Sequence, residues 1–493
     1  MRKKLYARGC IWGKIVLLRF ARPAARYPTG RRCRPLSTEK ELFARTPVLK
    51  AIAALALPTV LSQLITVVYN MADTFFIGQM GDPAQVAAAA VALPFFIFMT
   101  GVSNLFGIGG SSFISRALGA GDGERASRGA AFCIYGAAAT ALAYGLAVLL
   151  LRPLLLPLLG ATSATYAPCA RYVFWTVGFG AVPTVMNAAF AHLVRAEGHF
   201  RQASFGMAFG GLLNIALDPL FIFTLGLRIE GAAIATMLSN AAAAAYYVVF
   251  IYGMRGHSAI TLSPKKFALR GVAGEVLSVG APSFVTNMMS TFSNGALTKI
   301  ISSYSSEAVA GMGIAKKVHL IAVAVARGMT QGPLPLIGYN YASGDRKRMM
   351  RAIKTLCACC LCIGVAEIFL LHATAGGIMR FFIDDAETVG RGAAFMRVIC
   401  LDCPTTMLCF LIITLFQATG EKLRPLFLSF LRKGSIDVPF MFLFNSLFGI
   451  SGIAWATPCA DSAALAVSLA LFLPHVKKLV RADGDAAKRR RMP

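Results

Sequence analysis

Residues 57–79 read LPTVLSQLITVVYNMADTFFIGQ, an apolar run that meets the roughly 20 residues a helix needs to cross a bilayer. One carboxylate, Asp73, interrupts it. A charge held inside a span costs several kcal/mol or more unless it has partners, so an intramembrane acid is a functional candidate by default. The competing reading is an acid near the outer end that escapes to the headgroups. The rest of the chain bears on that choice.

Composition fixes the class. With 57% apolar residues, 14% charged residues and a mean hydropathy of +0.65 over 493 residues, this is a polytopic membrane protein. Its net charge of +27 does not point to nucleic acid, because the basic residues lie in two tails and in alternate short loops. The 12 cysteines mostly sit inside apolar segments, where cysteine behaves as a small hydrophobe rather than as half of a disulfide framework.

Apolar stretches of spanning length recur from Lys50 onward. Twelve can be placed, centred near Gln63, Asn104, Ala141, Gly180, Leu213, Ala241, Met288, Val323, Gly364, Cys409, Phe440 and Leu465. Arginine and lysine crowd alternate connections, from Arg116, Arg125 and Arg128 through Arg346, Lys347 and Arg348 to Lys422 and Arg424. The intervening set holds little beyond Arg152, Arg228, Lys299, Arg380 and Arg391. The positive-inside rule makes the first set cytoplasmic together with both termini, the usual topology of a multi-pass plasma-membrane protein with an even number of spans.

The chain also repeats itself. Ala56-Leu57-Pro58-Thr59 answers Gly280-Ala281-Pro282-Ser283, Ala120-Gly121-Asp122 answers Ser343-Gly344-Asp345, and the run from Glu230 to Thr236 answers that from Ser451 to Thr457. These matches share one order and nearly one offset, which predicts two six-helix lobes related by a pseudo-two-fold axis along the membrane normal. The expected division is a basic extension (1–49), an N-lobe (50–252), a cytoplasmic linker (253–274), a C-lobe (275–476) and a basic tail (477–493). Residues 1–35 carry eleven basic residues and no acid. They have no proper secretory h-region, and an over-extended start with translation beginning near Leu36 suits them better than an organellar transit peptide.

Further polar groups belong with Asp73. The fifth span, FGMAFGGLLNIALDPLFIFTLG, carries Asn214 and Asp218 at i and i+4 on one helical face, with Pro219 loosening the backbone beside them. The sixth supplies Thr236. Counted from the outer ends of their spans at ~1.5 Å per residue, Asp73, Asp218 and Thr236 share a depth on the order of 10 Å. Two carboxylates, an amide and a hydroxyl at one depth are oxygen ligands that suit a hard monovalent cation, or a proton shared between acids.

Residues 50–475 resemble the multidrug and toxic compound extrusion (MATE) transporters. The likeness rests on the run from Leu57 to Gly78, on Arg195-Ala196-Glu197-Gly198, on Asn214 to Pro219 with Thr236, and on Gln331 to Tyr341. It implies an all-α, two-lobed, twelve-helix protein that exports amphiphilic or cationic drugs in antiport with H+ or Na+ by alternating access. In the branch whose cation site lies in the N-lobe, the matching positions are Asp73, Asn214, Asp218 and Thr236. Pro58 matches a proline at which the first helix bends. Another branch places acids on spans seven and ten, but no acid occurs here in residues 282–300 or 407–419, so the resemblance puts coupling in the N-lobe.

Other features have two readings. Tyr69 and Asn187 suit cavity lining or packing equally, and Glu367 suits a second protonation site or internal pairing. Cys357, Cys359, Cys360 and Cys362, with the Cys400/Cys403 pair, favour small-residue packing over metal, as no histidine cluster accompanies them in sequence. Lys316 and Lys317 read as snorkelling lysines, Arg327 as buried against Glu367 or carbonyls, and all three with His319 as possible anion binders. No cofactor, metal or ATP-binding loop is expected. The expected partners are small drug-like molecules and the lipid bilayer, for a protein acting as a monomer. The alternative on this fold is a flippase or exporter for a lipid-linked or anionic metabolite.

Overall fold

The computed structural model of the chain describes residues 38–489 apart from 384, so the basic segment 1–35 lies outside the described residues. Among the described residues all regular structure is helical. Among the described residues, nine helices are long and apolar enough to cross a membrane, and a tenth crossing is the bent pair Ser163–Phe179 and Ala181–Ala196, whose halves meet at 49°. Ala273–Ile301 is also long enough, although SFVTNMMSTFSN makes it more polar. Leu423–Lys478 is one of the nine, yet its 56 residues would reach about 84 Å as a single rod. Gly449 breaks that rod with φ 59° and ψ −144°, a backbone that glycine alone adopts cheaply. The count is therefore twelve spans, as the sequence predicts.

In chain order, spans one to three are Val48–Gly78, Pro83–Gly119 and Gly123–Leu158, span four is the bent pair, and spans five and six are Phe200–Thr224 and Arg228–Gly253. Span seven is Ala273–Ile301, and span eight is Ser306–Gln331 continued by Leu334–Ala342. Spans nine and ten are Arg346–Phe382 and Ala386–Thr419, and the two sides of Gly449 form spans eleven and twelve. Leucines and phenylalanines such as Leu150, Leu154 and Phe369 are exposed around the perimeter, where lipid solvates them.

Two close helix pairs join the lobes. Span two lies along span seven so tightly that a Cβ on Gly280 would fall 1.9 Å from the Leu105 carbonyl oxygen. Span one lies along span eight, and there a Cβ on Gly328 would meet the Val60 Cα at 2.5 Å. Small residues let membrane helices approach to this distance. The internal repeat interchanges the two pairs. It also interchanges their cores: Ala51, Ile52 and Leu55 from span one are buried with Ala326, Met329 and Leu336, whereas Val276 from span seven is buried in the core of the first lobe. Each half thus lends the start of its first helix to the other.

Residues 38–46, which the sequence reading assigns to the basic extension (1–49), are folded against the second lobe. Thr38–Ala44 is helical, and Phe43 is buried with its ring 5.5 Å from that of Tyr339. Arg348 donates from Nε to the Phe43 carbonyl at 2.7 Å and from Nη2 to the Thr46 carbonyl at 2.5 Å. The physical reason is an apolar anchor backed by a cation on helix-terminal carbonyls. The linker is clasped as well: Glu197 accepts from the Ser258 hydroxyl at 2.5 Å and from the Ile260 N–H at 3.2 Å, and the Ala259 N–H also donates to it. Glu197 thereby does structural work within the Arg195 to Gly198 motif.

Candidate cation site and a buried ion-pair network

Asn214 and Asp218 are fully buried on one face of span five. The helix continues through Pro219 and widens to π-helical turns over Leu220–Thr224, as expected where a residue without an N–H interrupts the ladder. Asn214 Nδ2 donates to Asp218 Oδ1 at 3.2 Å and to Thr236 Oγ1 of span six at 3.4 Å. Asp73 of span one completes the group, close enough that Asp218, Tyr69 and Tyr172 all feel its charge. Gly211 permits this approach, since a Cβ there would stand 2.9 Å from Tyr69 Cδ1. All four residues singled out in the sequence are thus brought together.

Their hydrogen bonding is incomplete. Asp73 Oδ1, Asp218 Oδ2 and Asn214 Oδ1 are buried with no partner, and among the described residues neither acid has a basic ion-pair partner. Buried acceptors without donors each lose their hydration uncompensated. A proton or a small cation would supply what is missing. Tyr69 packs beside the acids, and Asn187 is linked to them indirectly, donating to Asn240 Oδ1 at 2.9 Å while Asn240 donates to the Thr236 carbonyl at 2.8 Å. Pro58 lies within the continuous helix of span one, two residues before the Val60 contact with span eight.

The second lobe departs from expectation. Arg327 does not meet Glu367; it stands over the Phe410 ring at 5.8 Å, while Glu367 hydrogen-bonds with Cys403. Lys316 does not snorkel. It turns inward, donates to Thr457 Oγ1 at 3.4 Å and feels the charges of Asp437 and Asp461, whereas Lys317 is exposed. Cys403 also has the histidine that the cysteine spacing does not show: His319, Asp402 and Cys403 place ligand-type atoms within 4.8 Å of one another, with His319 Nε2 2.8 Å from Asp402 Oδ1. Helix packing brings these three together from spans eight and ten, with Glu367 of span nine beside Cys403.

A buried network goes unread in the sequence. Arg432 grips Asp461 with two hydrogen bonds, 3.1 Å from Nε and 2.7 Å from Nη2, and its Nη2 also donates to Thr406 at 2.9 Å. Lys433 lies 3.4 Å from both Asp437 and Asp461, and Ser293 donates to Asp437 at 2.6 Å. Residues 432–437, RKGSID, resemble a polar loop, yet they form the π-helical Leu431–Ile436 segment entering Asp437–Arg489. Two signals were available: the i, i+4 spacing of Lys433 and Asp437, and Asp461 as a lone acid in an apolar run, the same cue that marks Asp73.

Two pseudo-symmetric six-helix lobes, joined by close helix pairs and holding a buried acid pair without a counter-charge, define a membrane-embedded secondary transporter. The chain belongs to the MatE family, whose profile matches residues 58–220 and 282–443, and it is a transporter rather than an enzyme. The multidrug export protein MepA of Staphylococcus aureus (strain COL) is 30% identical over 437 residues, covering 87% of this chain and 95% of that protein. MepA of Staphylococcus saprophyticus is 29% identical over 434 residues with the same coverage. Among solved structures, an outward-facing multidrug resistance MATE family transporter of the MOP superfamily superposes with a TM-score of 0.85 at 22% identity, over 91% of this chain and 100% of that one. A MATE structure in a bent conformation gives 0.83 at 22% identity, over 91% and 99%.

Proposed function

We propose that this protein exports amphiphilic, mainly cationic compounds across the cell membrane in antiport with H+ or Na+, by alternating access of two lobes. The observation that carries the coupling step is the set of three unpartnered acceptor atoms on Asp73, Asn214 and Asp218. With the cavity open outward, Asp73 and Asp218 take up the coupling ion, Asn214 holding Asp218 and Thr236 in place. Neutralisation removes the repulsion between the two acids. Span one then bends at Pro58, reshaping the N-lobe wall and expelling bound compound; release of the ion to the cytoplasm resets the cycle. Ion and compound must favour different states, because a ligand with equal affinity for both shifts nothing. Both termini are cytoplasmic in this reading, and the named activity of the MepA relatives, multidrug export, supports the direction of transport and more than one drug-like substrate.

The test is dye loss from right-side-out proteoliposomes loaded with a fluorescent organic cation, under an inward proton gradient or an inward sodium gradient. Loss driven by one gradient in the wild type, and absent in Asp218→Asn, would support the reading and name the ion. Identical, gradient-independent behaviour of the two proteins would overturn it.

A further inference from the structure

Between the lobes lies a narrow recess bounded by spans two, seven, eight and ten and lined in part by Asn104, Ser283, Asn287, Arg327, Phe410 and Gln417. Its polar atoms are unbalanced in the direction opposite to the cation site. The Arg327 guanidinium stands over the Phe410 ring and makes no hydrogen bond or ion pair with any described residue, and the charge it feels is that of another cation, Arg432. Arg432 cannot share a counter-ion with it, being 4.5 Å over the other guanidinium's Phe410 ring and already bound to Asp461. Asn287 is 7% exposed, and its Nδ2 is buried without an acceptor. Gln417 Nε2 donates to the Val279 carbonyl at 2.8 Å and to Ser283 Oγ at 2.9 Å, which leaves the Ser283 hydroxyl hydrogen to point elsewhere. No residue lining the recess is acidic.

A guanidinium offers five donors and no acceptor, an amide nitrogen two more, and the serine one. Water could satisfy some of these, but it would leave a full positive charge uncompensated inside the membrane. An anion answers both needs, and a planar carboxylate matches the guanidinium fork. We propose that this recess is a subsite for the carboxylate of an amphiphilic substrate, held by Arg327 with Asn287 and Ser283 as further donors. The inference rests on the export reading and names the residues of this chain that would receive a substrate's carboxylate. Arg327 directly precedes Gly328, where span eight touches Val60 of span one, so an occupant of the recess sits one residue from the contact that bending at Pro58 must disturb.

The test uses the purified full-length protein and two readouts. In the first, benzoate is titrated against thermal stability. Saturable stabilisation of the wild type, lost in Arg327→Gln and partly kept in Arg327→Lys, is expected; no stabilisation of the wild type, or equal stabilisation by chloride, would overturn the carboxylate subsite. This readout does not depend on drug export. In the second, binding is compared for a rhodamine bearing a free carboxylate and for its methyl ester. The ratio of the two affinities should fall at least about tenfold in Arg327→Gln, the size of a lost charge-assisted hydrogen bond, and by a smaller factor in Asn287→Ala. An unchanged ratio would sink the proposal. If the wild type binds neither dye while benzoate still discriminates Arg327→Gln, the subsite stands and the export reading is what fails.

Discussion

The two lobes bury similar groups and treat them differently. In the N-lobe, Asp73 and Asp218 lie beside an amide and a hydroxyl, and three acceptor atoms are left without donors. In the C-lobe, Asp461 has a two-point contact from Arg432, a second cation in Lys433 and a hydroxyl from Thr406, 2.6 Å away. A buried charge with fixed partners holds helices in register. One without them is free to be compensated by something that arrives and departs, which is what coupling to an ion demands.

The same substitution in the two lobes should therefore give opposite results. Asp461→Asn leaves Arg432 and Lys433 without their shared counter-charge, and a stability loss of about 3–5 kcal/mol is expected in denaturant or thermal unfolding. Asp218→Asn removes an uncompensated acid and keeps the hydrogen-bonding shape, so stability should hold or rise slightly while gradient-driven transport falls at least about tenfold. Equal destabilisation by the two would break the contrast. The double variant Arg432→Met with Asp461→Leu sharpens it: replacing both members of a buried pair by apolar residues is often neutral, so stability should return to within about 1 kcal/mol of the wild type. Recovery of folding without recovery of transport would assign the network a part in the cycle beyond holding helices together.

What was legible in the sequence follows the same division. Asp73, Asn214, Asp218 and Thr236 stand out because each is polar within a clean apolar run, and the internal repeat supplies the topology that sets them at one depth. The C-lobe network was hidden by local context. Arg432, Lys433 and Asp437 occur together in a stretch with a glycine and a serine, the composition of a turn, and only tertiary packing of spans seven, ten and twelve against it makes that stretch a helix with Arg432 and Asp437 buried. The Cys403, His319 and Glu367 group escaped for a related reason, since its members come from three spans and no spacing rule connects them. Groups on one helix can be read from a sequence; groups assembled across helices need the packing.

The adjacent lysines of span eight carry that point to a single turn of helix. Lys316 and Lys317 are one residue apart, and successive residues of an α-helix point about 100° from each other. That rotation sends Lys316 to Thr457 and the acids of the network, and leaves Lys317 exposed with its aliphatic stem on the outer surface. Lys316→Met should cost about 1–3 kcal/mol of stability, because it removes a compensating charge from buried Asp437 and Asp461. Lys317→Met should stay within about 0.5 kcal/mol, as surface changes usually do. Thermal unfolding of the two variants side by side in detergent checks the difference. Equal losses would mean that the orientation of span eight about its own axis is wrong, and with it the placing of Arg327, eleven residues or about three turns farther along the same helix.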